Sequence, residues 1–163
     1  MLAKQYGVVN LICWDRGASM QNTPEIEGVE TTIIEKTTSK NEIRRAILFL
    51  SVKKEAIKKL KEIRPEIIHI QGLDMLGAAI EYKKIVDNNV ILVYEVADLH
   101  KLIVDEQKTI TKKIVQNYIR KEEIKCCKEI DLLVVTSEQY YSSHFSKFVP
   151  SEKYVYIPNI PDL

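Results

Sequence analysis

The chain has 163 residues, of which 45% are hydrophobic and 29% charged, with a net charge of +1. A chain of this size forms one domain that buries roughly 70% of its unfolded surface. Five Gly and five Pro exclude a collagen-like or low-complexity chain, the apolar content excludes a disordered one, and the near-zero charge gives no bulk attraction to nucleic acid. Cys13, Cys126 and Cys127 are an odd set without metal-ligand spacing, which fits a reduced, cytosolic compartment better than a disulfide framework. No apolar run approaches the roughly 18 residues of a membrane span. Met1 to Tyr6 lacks the long apolar stretch of a signal peptide.

In chain order, Leu2 to Gly7 reads as the last turn of a helix closed by Gly7. Val8 to Cys13 is a β-rich run. Asp15 to Glu30, with Gly17, Pro24 and Gly28, is the main long loop. Thr31 to Glu35 is a second, shorter strand. Asn41 to Ile63 is a helix with Ile43, Ile47, Leu50, Ile57 and Leu60 near one face and Arg44, Lys53, Lys54, Lys58 and Lys61 elsewhere. Pro65 stops it. Glu66 to Ile70 is a strand, Asp74 to Val86 a helix carrying Leu76, Ala79, Ile80 and Val86, and Val90 to Val96 a strand after Asn88-Asn89. Thr109 to Ile130 is a helix carrying Ile110, Ile114, Val115, Tyr118, Ile119 and Ile124. Leu132 to Thr136 is a strand. Ser137 is an N-cap for a short helix through about His144, with Glu138 favourable in its first turn. Tyr154 to Ile157 is the last strand. The middle runs lack alternation, as in parallel strands buried on both faces. The alternation of strands and helices predicts an α/β fold: a three-layer, Rossmann-like parallel sheet with helices on both faces.

In such a sheet ligands sit outside the carboxyl ends of the strands. That directs attention to Asp15, Arg16 and Gly17; to Gln71, Gly72 and Asp74; to Glu95, Asp98 and His100; to Thr136, Ser137 and Glu138; and to Asn159. Their acidic and amide groups can hold a sugar's hydroxyls. Helix capping and loop solvation explain the same residues, and polar strand ends do not name a substrate. A Gly-x-Gly-x-x-Gly fingerprint, a Walker lysine loop and a Gly-x-Ser-x-Gly elbow are all absent. His69, His100 and His144 have no ligand spacing, and His69, inside an apolar run, reads as a structural histidine. Cys13 reads as a core thiol rather than a nucleophile. Two basic segments, Arg44 to Arg64 and Lys108 to Lys128, read as solvated faces or as a peripheral contact with anionic lipid. Each Lys or Arg near such a surface adds about 1 kcal/mol.

Six segments, taken together and in order, resemble one family. Leu2 to Arg16 is similar to a "helix end, glycine, second strand, tryptophan-Asp-Arg" stretch, and Glu27-Gly28-Val29-Glu30 to the approach to a third strand. Arg64-Pro65-Glu66-Ile67-Ile68-His69-Ile70-Gln71-Gly72 is similar to a "basic-proline-acid-apolar-apolar-histidine" strand. Val93 to Leu99 is similar to "glutamate-valine-histidine-aspartate-leucine", Asp131 to Glu138 to "aspartate-apolar strand-threonine-serine-glutamate", and Ile157 to Asp162 to an "isoleucine-proline-asparagine" hinge. The chain thus resembles the N-terminal half of a GT-B-fold glycosyltransferase of the retaining family-4 type. Ala97 stands where many members carry His, so no catalytic histidine is carried over there, and Ile160 stands where many have Gly.

The resemblance implies that residues 1–163 form the acceptor-side domain of a hexosyltransferase, lacking the first strand and the C-terminal donor domain, and inactive alone. It implies a nucleotide-sugar donor bound by that other domain, a sugar or lipid-linked acceptor, no cofactor or metal, no nucleic acid, and a cytoplasmic location at the inner face of the membrane. Glu95, Asp98, Gln71, Gly72, Ser137 and Glu138 would face the acceptor cleft and Asn159 would mark the hinge, with the catalytic residues unassigned. A different reading is a non-catalytic Rossmann-like or receiver-like module that binds a protein partner. A missing first strand would leave a slot between Val8–Cys13 and Glu66–Ile70. Direct parallel pairing of these two segments is the expected remedy; the others are a homodimer that fills the slot, and Val8–Cys13 itself acting as the central strand.

Overall fold

The computed structural model describes residues 7–15, 26–36, 42–96 and 110–158. The expected helix tail at Leu2 to Tyr6 and most of the expected long loop lie outside them. The fold is α/β and Rossmann-like, with parallel strands joined by helices. The chain divides into two compact units, residues 1–64 and 65–163.

In the first unit β1 (Val9–Asp15) and β2 (Val29–Glu35) run parallel, with Val9 opposite Val29 and Asp15 opposite Glu35. A tight turn leads into β2: the Val29 N–H donates to the Ile26 carbonyl at 3.0 Å, and the Val9 N–H to the Gly28 carbonyl at 3.0 Å. Gly28 has φ 77°, a left-handed conformation open to glycine without steric cost. At the far end the Trp14 indole N–H donates to the Lys36 carbonyl at 2.9 Å, and the Lys36 ammonium reaches Glu55 at 2.9 Å. Glu55 lies on α1 (Glu42–Ile63), which packs on both strands. Val52, Ala56, Ile57 and Leu60 of α1 are buried, as is Ile34 of β2. Leu50, expected near this face, is exposed. It sits two residues from Val52, about 200° around a helix of 3.6 residues per turn.

The second unit is a sheet in the order β3-β4-β5-β6, all parallel. Its strands are β3 (Ile67–Gln71), β4 (Ile91–Val96), β5 (Leu132–Val135) and β6 (Tyr154–Tyr156). Between them lie α2 (Leu73–Ile85), α3 (Ile110–Cys127) and α4 (Glu138–Ser143), with single 3-10 turns at Phe145–Lys147 and Ser151–Lys153. Each strand follows its predecessor along the sheet, so right-handed crossovers bring every helix to one face. Alternation in β4 marks that face: Leu92, Tyr94 and Val96 are buried, while Ile91 is exposed and Val93 and Glu95 are intermediate. The apolar runs were expected to be buried on both faces. β5, with Leu133, Val134 and Val135 all buried, comes nearest. Tyr141 of α4 stacks on Tyr154 of β6, rings 3.9 Å apart, and its hydroxyl donates to the Val149 carbonyl at 3.0 Å.

Helix α3 ends at Cys127, three residues before its expected end. A turn closed by the Glu129 N–H on the Cys126 carbonyl, 3.0 Å, brings Ile130 fully into the core. Tyr118, one of the apolar residues of the expected helix, is exposed. It lies five residues from buried Glu123, about 140° away around the helix. The expected pairing of Val8–Cys13 with Glu66–Ile70 would join the two units; within each unit, among the described residues, β1 pairs with β2 and β3 with β4. No residue of β1 is fully buried, unlike a strand sandwiched at the centre of a sheet.

Two local features yield measurable expectations. Arg64 closes α1 with φ 52°, its N–H on the Leu60 carbonyl at 2.9 Å. A side chain in that conformation costs about 1 kcal/mol, so Arg64→Gly should stabilise the chain by up to about 1 kcal/mol in chemical denaturation. Asp131 sits before β5. Its carboxylate accepts from Lys83 Nζ at 2.6 Å and from the Leu92 N–H at 2.8 Å. Burial pushes its carboxyl up, but Lys83 and the Leu92 amide outweigh that and hold it below the ordinary carboxylate range. A depressed acid contributes stability above its unfolded pKa and loses it as pH falls through the folded one. Asp131→Asn should therefore lower stability at neutral pH and flatten the acid limb of the stability–pH curve.

Candidate functional site

Parallel pairing places the carboxyl ends of β3, β4 and β5 on one rim. Gln71 and Glu95 are register partners there. Gly72 follows with φ 81° and ψ 147° at the N-cap of α2. A Cβ at Gly72 would meet nothing within 4 Å, so the backbone angle, not crowding, calls for glycine. Ser137 caps α4 only through its backbone: its carbonyl accepts from the Tyr140 N–H at 3.0 Å, and its hydroxyl makes no capping bond. Glu138 is exposed in the first turn. The rim thus brings Gln71, Gly72 and Glu95 together, with Ser137 and Glu138 farther along it beyond β5. Asp98, His100 and Asn159 lie outside the described residues.

The residue that sequence reasoning passed over is His69. It precedes Gln71 by two positions on β3 and so shares its sheet face, the one opposite the helices. His69 Nε2 lies 2.8 Å from Glu95 Oε2, with the histidine side chain 47% exposed and the glutamate 20%. The histidine is therefore accessible and anchored by a candidate site residue, not enclosed in the core. Its apolar flanks suggested a core position. The register that sets Gln71 opposite Glu95, and so His69 diagonal to that carboxylate, is a long-range property outside the local pattern.

A second polar cluster lies on the helical side. Glu123 of α3 and His144, just after α4, are both buried, with Oε2 and Nε2 3.2 Å apart. The Tyr94 hydroxyl of β4 also bonds Glu123, and burial together with that carboxylate pushes the phenol up. Phe145 and Phe148 meet the His144 ring edge-on. Cys127, one turn beyond Glu123, is buried, and burial followed by the Glu123 charge pushes its thiol up, so it stays protonated and unreactive. Burial also pushes the half-buried Cys13 thiol up, which suits a packing role. This cluster is walled by core residues and ties three elements together. It has the character of a structural network.

A cavity of about 150 Å³ lies at the opposite, amino ends of the strands, lined by Ile80, Lys83, Lys84, Asn88 and Glu129. It is below the several hundred Å³ of a typical ligand site. Its lysines are engaged with Asp131 and Glu129 at 2.6 and 3.0 Å. Among the described residues no group of three His, Cys, Asp or Glu side chains could hold a metal ion, and no helix is long and apolar enough to cross a membrane. In comparisons with known proteins, no family model matches the chain and no curated protein matches it.

The interior pair gives a direct test of its structural role. Glu123→Ala leaves His144 and the Tyr94 hydroxyl buried without their acceptor and should cost about 3 kcal/mol. The double variant Glu123→Met/His144→Leu should recover part of that loss in urea denaturation, short of full recovery because the Tyr94 hydroxyl remains unpaired.

Proposed function

We propose that the chain is the acceptor-side domain of a retaining glycosyltransferase, which moves a sugar from a nucleotide-sugar to a sugar or lipid-linked acceptor. The observation that carries this reading is the rim trio His69, Gln71 and Glu95. The three share one sheet face at the carboxyl ends of adjacent strands, with His69 and Glu95 joined at 2.8 Å. An imidazole, an amide and a carboxylate so placed offer the mixed acceptors and donors that a polyhydroxylated acceptor needs. The ordered set of strand-end motifs in the sequence supports the same reading. Donor binding then belongs to a second domain, where helix N-termini and basic residues hold the diphosphate without a metal.

Lys54, Lys58 and Lys61 are exposed at helical spacing along α1. They support a cytoplasmic enzyme that touches the anionic inner face of a membrane, each lysine adding about 1 kcal/mol. The second reading, a non-catalytic module that binds a protein, is favoured by apolar side chains exposed on the sheet: Ile67 at 52%, Ile91 at 45% and Val155 at 40%.

Transfer assays separate the two. The 163-residue chain alone should transfer no sugar from UDP- or GDP-sugars, because transition-state stabilisation on the donor side is absent from it. In a full-length transferase carrying this domain, Glu95→Ala and Asp98→Ala should each lower the transfer rate about tenfold or more while the protein stays folded. Unchanged kinetics for both variants, or no transfer by the full-length protein with any nucleotide-sugar, would favour the binding module.

A further inference from the structure

The contact between His69 and Glu95 has a direction. Glu95 Oε2 lies 2.8 Å from Nε2 of the ring, an ion-pair separation. Two facing lone pairs would repel at that separation, so Nε2 is the nitrogen that carries the proton. In the neutral ring Nδ1 is then an unprotonated acceptor, and the structure shows it no other protein partner among the described residues. The glutamate is the more covered of the two and the histidine the more exposed, at 20% and 47%.

We infer that His69 is the group that meets the acceptor, through a hydrogen bond from an acceptor hydroxyl to Nδ1, and that Glu95 is a positioning residue acting through His69. This rests on the acceptor-side reading for the identity of the ligand, and it reverses the roles expected from sequence. There Glu95 was the contact and His69 a structural residue. A carboxylate behind an imidazole fixes the tautomer and the ring orientation and makes the outward nitrogen a better acceptor. Two residues toward the amino ends on the same face, Ile67 and Ile91 are register partners and exposed. A ligand bonded at Nδ1 has apolar surface beside it, which suits the mixed polar and C–H faces of a pyranose better than those of a small polyol.

Nitrogen-15 spectra of the histidine-labelled chain test the positioning role without any transfer assay. The wild-type protein should show a protected Nε2–H signal and an unprotonated Nδ1 for His69, and Glu95→Ala should lose the protected signal. A protonated Nδ1 in the neutral ring, or an Nε2–H signal unchanged in Glu95→Ala, would overturn the inference even if the full-length protein transfers sugar. Titration with methyl α-glucoside, using glycerol as control, tests the ligand role. The glucoside should shift Nδ1 of the wild type and leave the His144 nitrogens still. No shift with the glucoside, or an equal shift with glycerol, would overturn it.

His69→Lys provides a structural control. Its ammonium can still donate to Glu95, and it has no acceptor to replace Nδ1. In the full-length transferase it should keep the wild-type melting temperature and raise the acceptor KM about tenfold, the effect of losing one hydrogen bond to the ligand. A wild-type KM would reduce the pair to a surface contact. A raised KM together with a lowered melting temperature would overturn the inference in the same way, because the loss would then follow from structure.

Discussion

Every strand of the four-stranded sheet runs in the same direction and adds to the same growing edge. A parallel neighbour cannot be reached by a tight turn, so each return passes over the sheet, and right-handedness sends all of them over one face. The rest of the unit depends on this. The helix-covered face receives Leu92, Tyr94, Val96, Leu133 and Val135, and it can be apolar and close-packed. The opposite face receives Ile67, His69 and Gln71 from β3, and there a histidine can be half exposed and still be held by its neighbour strand. The same constraint gathers all carboxyl ends on one rim, away from the lysine-lined cavity at the amino ends.

Polar groups in the interior are placed where they join elements. Glu123 links α3 to β4 through the Tyr94 hydroxyl and to the end of α4 through His144. Asp131 links the start of β5 to the backbone of β4 and to Lys83 on α2. Lys153 donates to the Ile130 carbonyl at 2.8 Å and fixes the approach to β6. No buried side-chain nitrogen or oxygen is left without a partner among the described residues. These bonds set where each strand begins, and through strand length they set where each ends at the rim.

Much of this was legible in the sequence. The six apolar runs and the helical spacings located every described strand and α-helix to within about three residues, because local periodicity fixes them; the two 3-10 turns after α4 carried no such signal. The polar strand ends were legible too, since Gln71, Gly72 and Glu95 follow directly from where the runs stop. What escaped was long-range. Which strand edges meet depends on chain closure, and so the pairing of β1 with β2 was not visible in their compositions. His69 looked structural because both flanks are isoleucine, yet the alternation of a strand with one open face turns it away from the side that buries Ile70. The union of Glu123, His144 and Tyr94 draws on residues up to 50 positions apart and carries no local signal. Ser137 was legible as a cap position but not as one that leaves its hydroxyl out of the cap.

The last strand has a further consequence. β6 has only three residues, its ladder ends with the Ile157 N–H on the Val135 carbonyl at 3.0 Å, and the next residue is Pro158. Proline has no N–H to offer and does not extend a ladder. A sheet that grows by adding strands at one edge is, in the concentrated state, a template for fibres. Here the template is one turn of pleat long and closed by a ring. Colloidal behaviour on that side is governed by side-chain contacts of Val155, Tyr156 and Ile157, which salt and detergent can tune, and not by main-chain recruitment, which they cannot easily reverse.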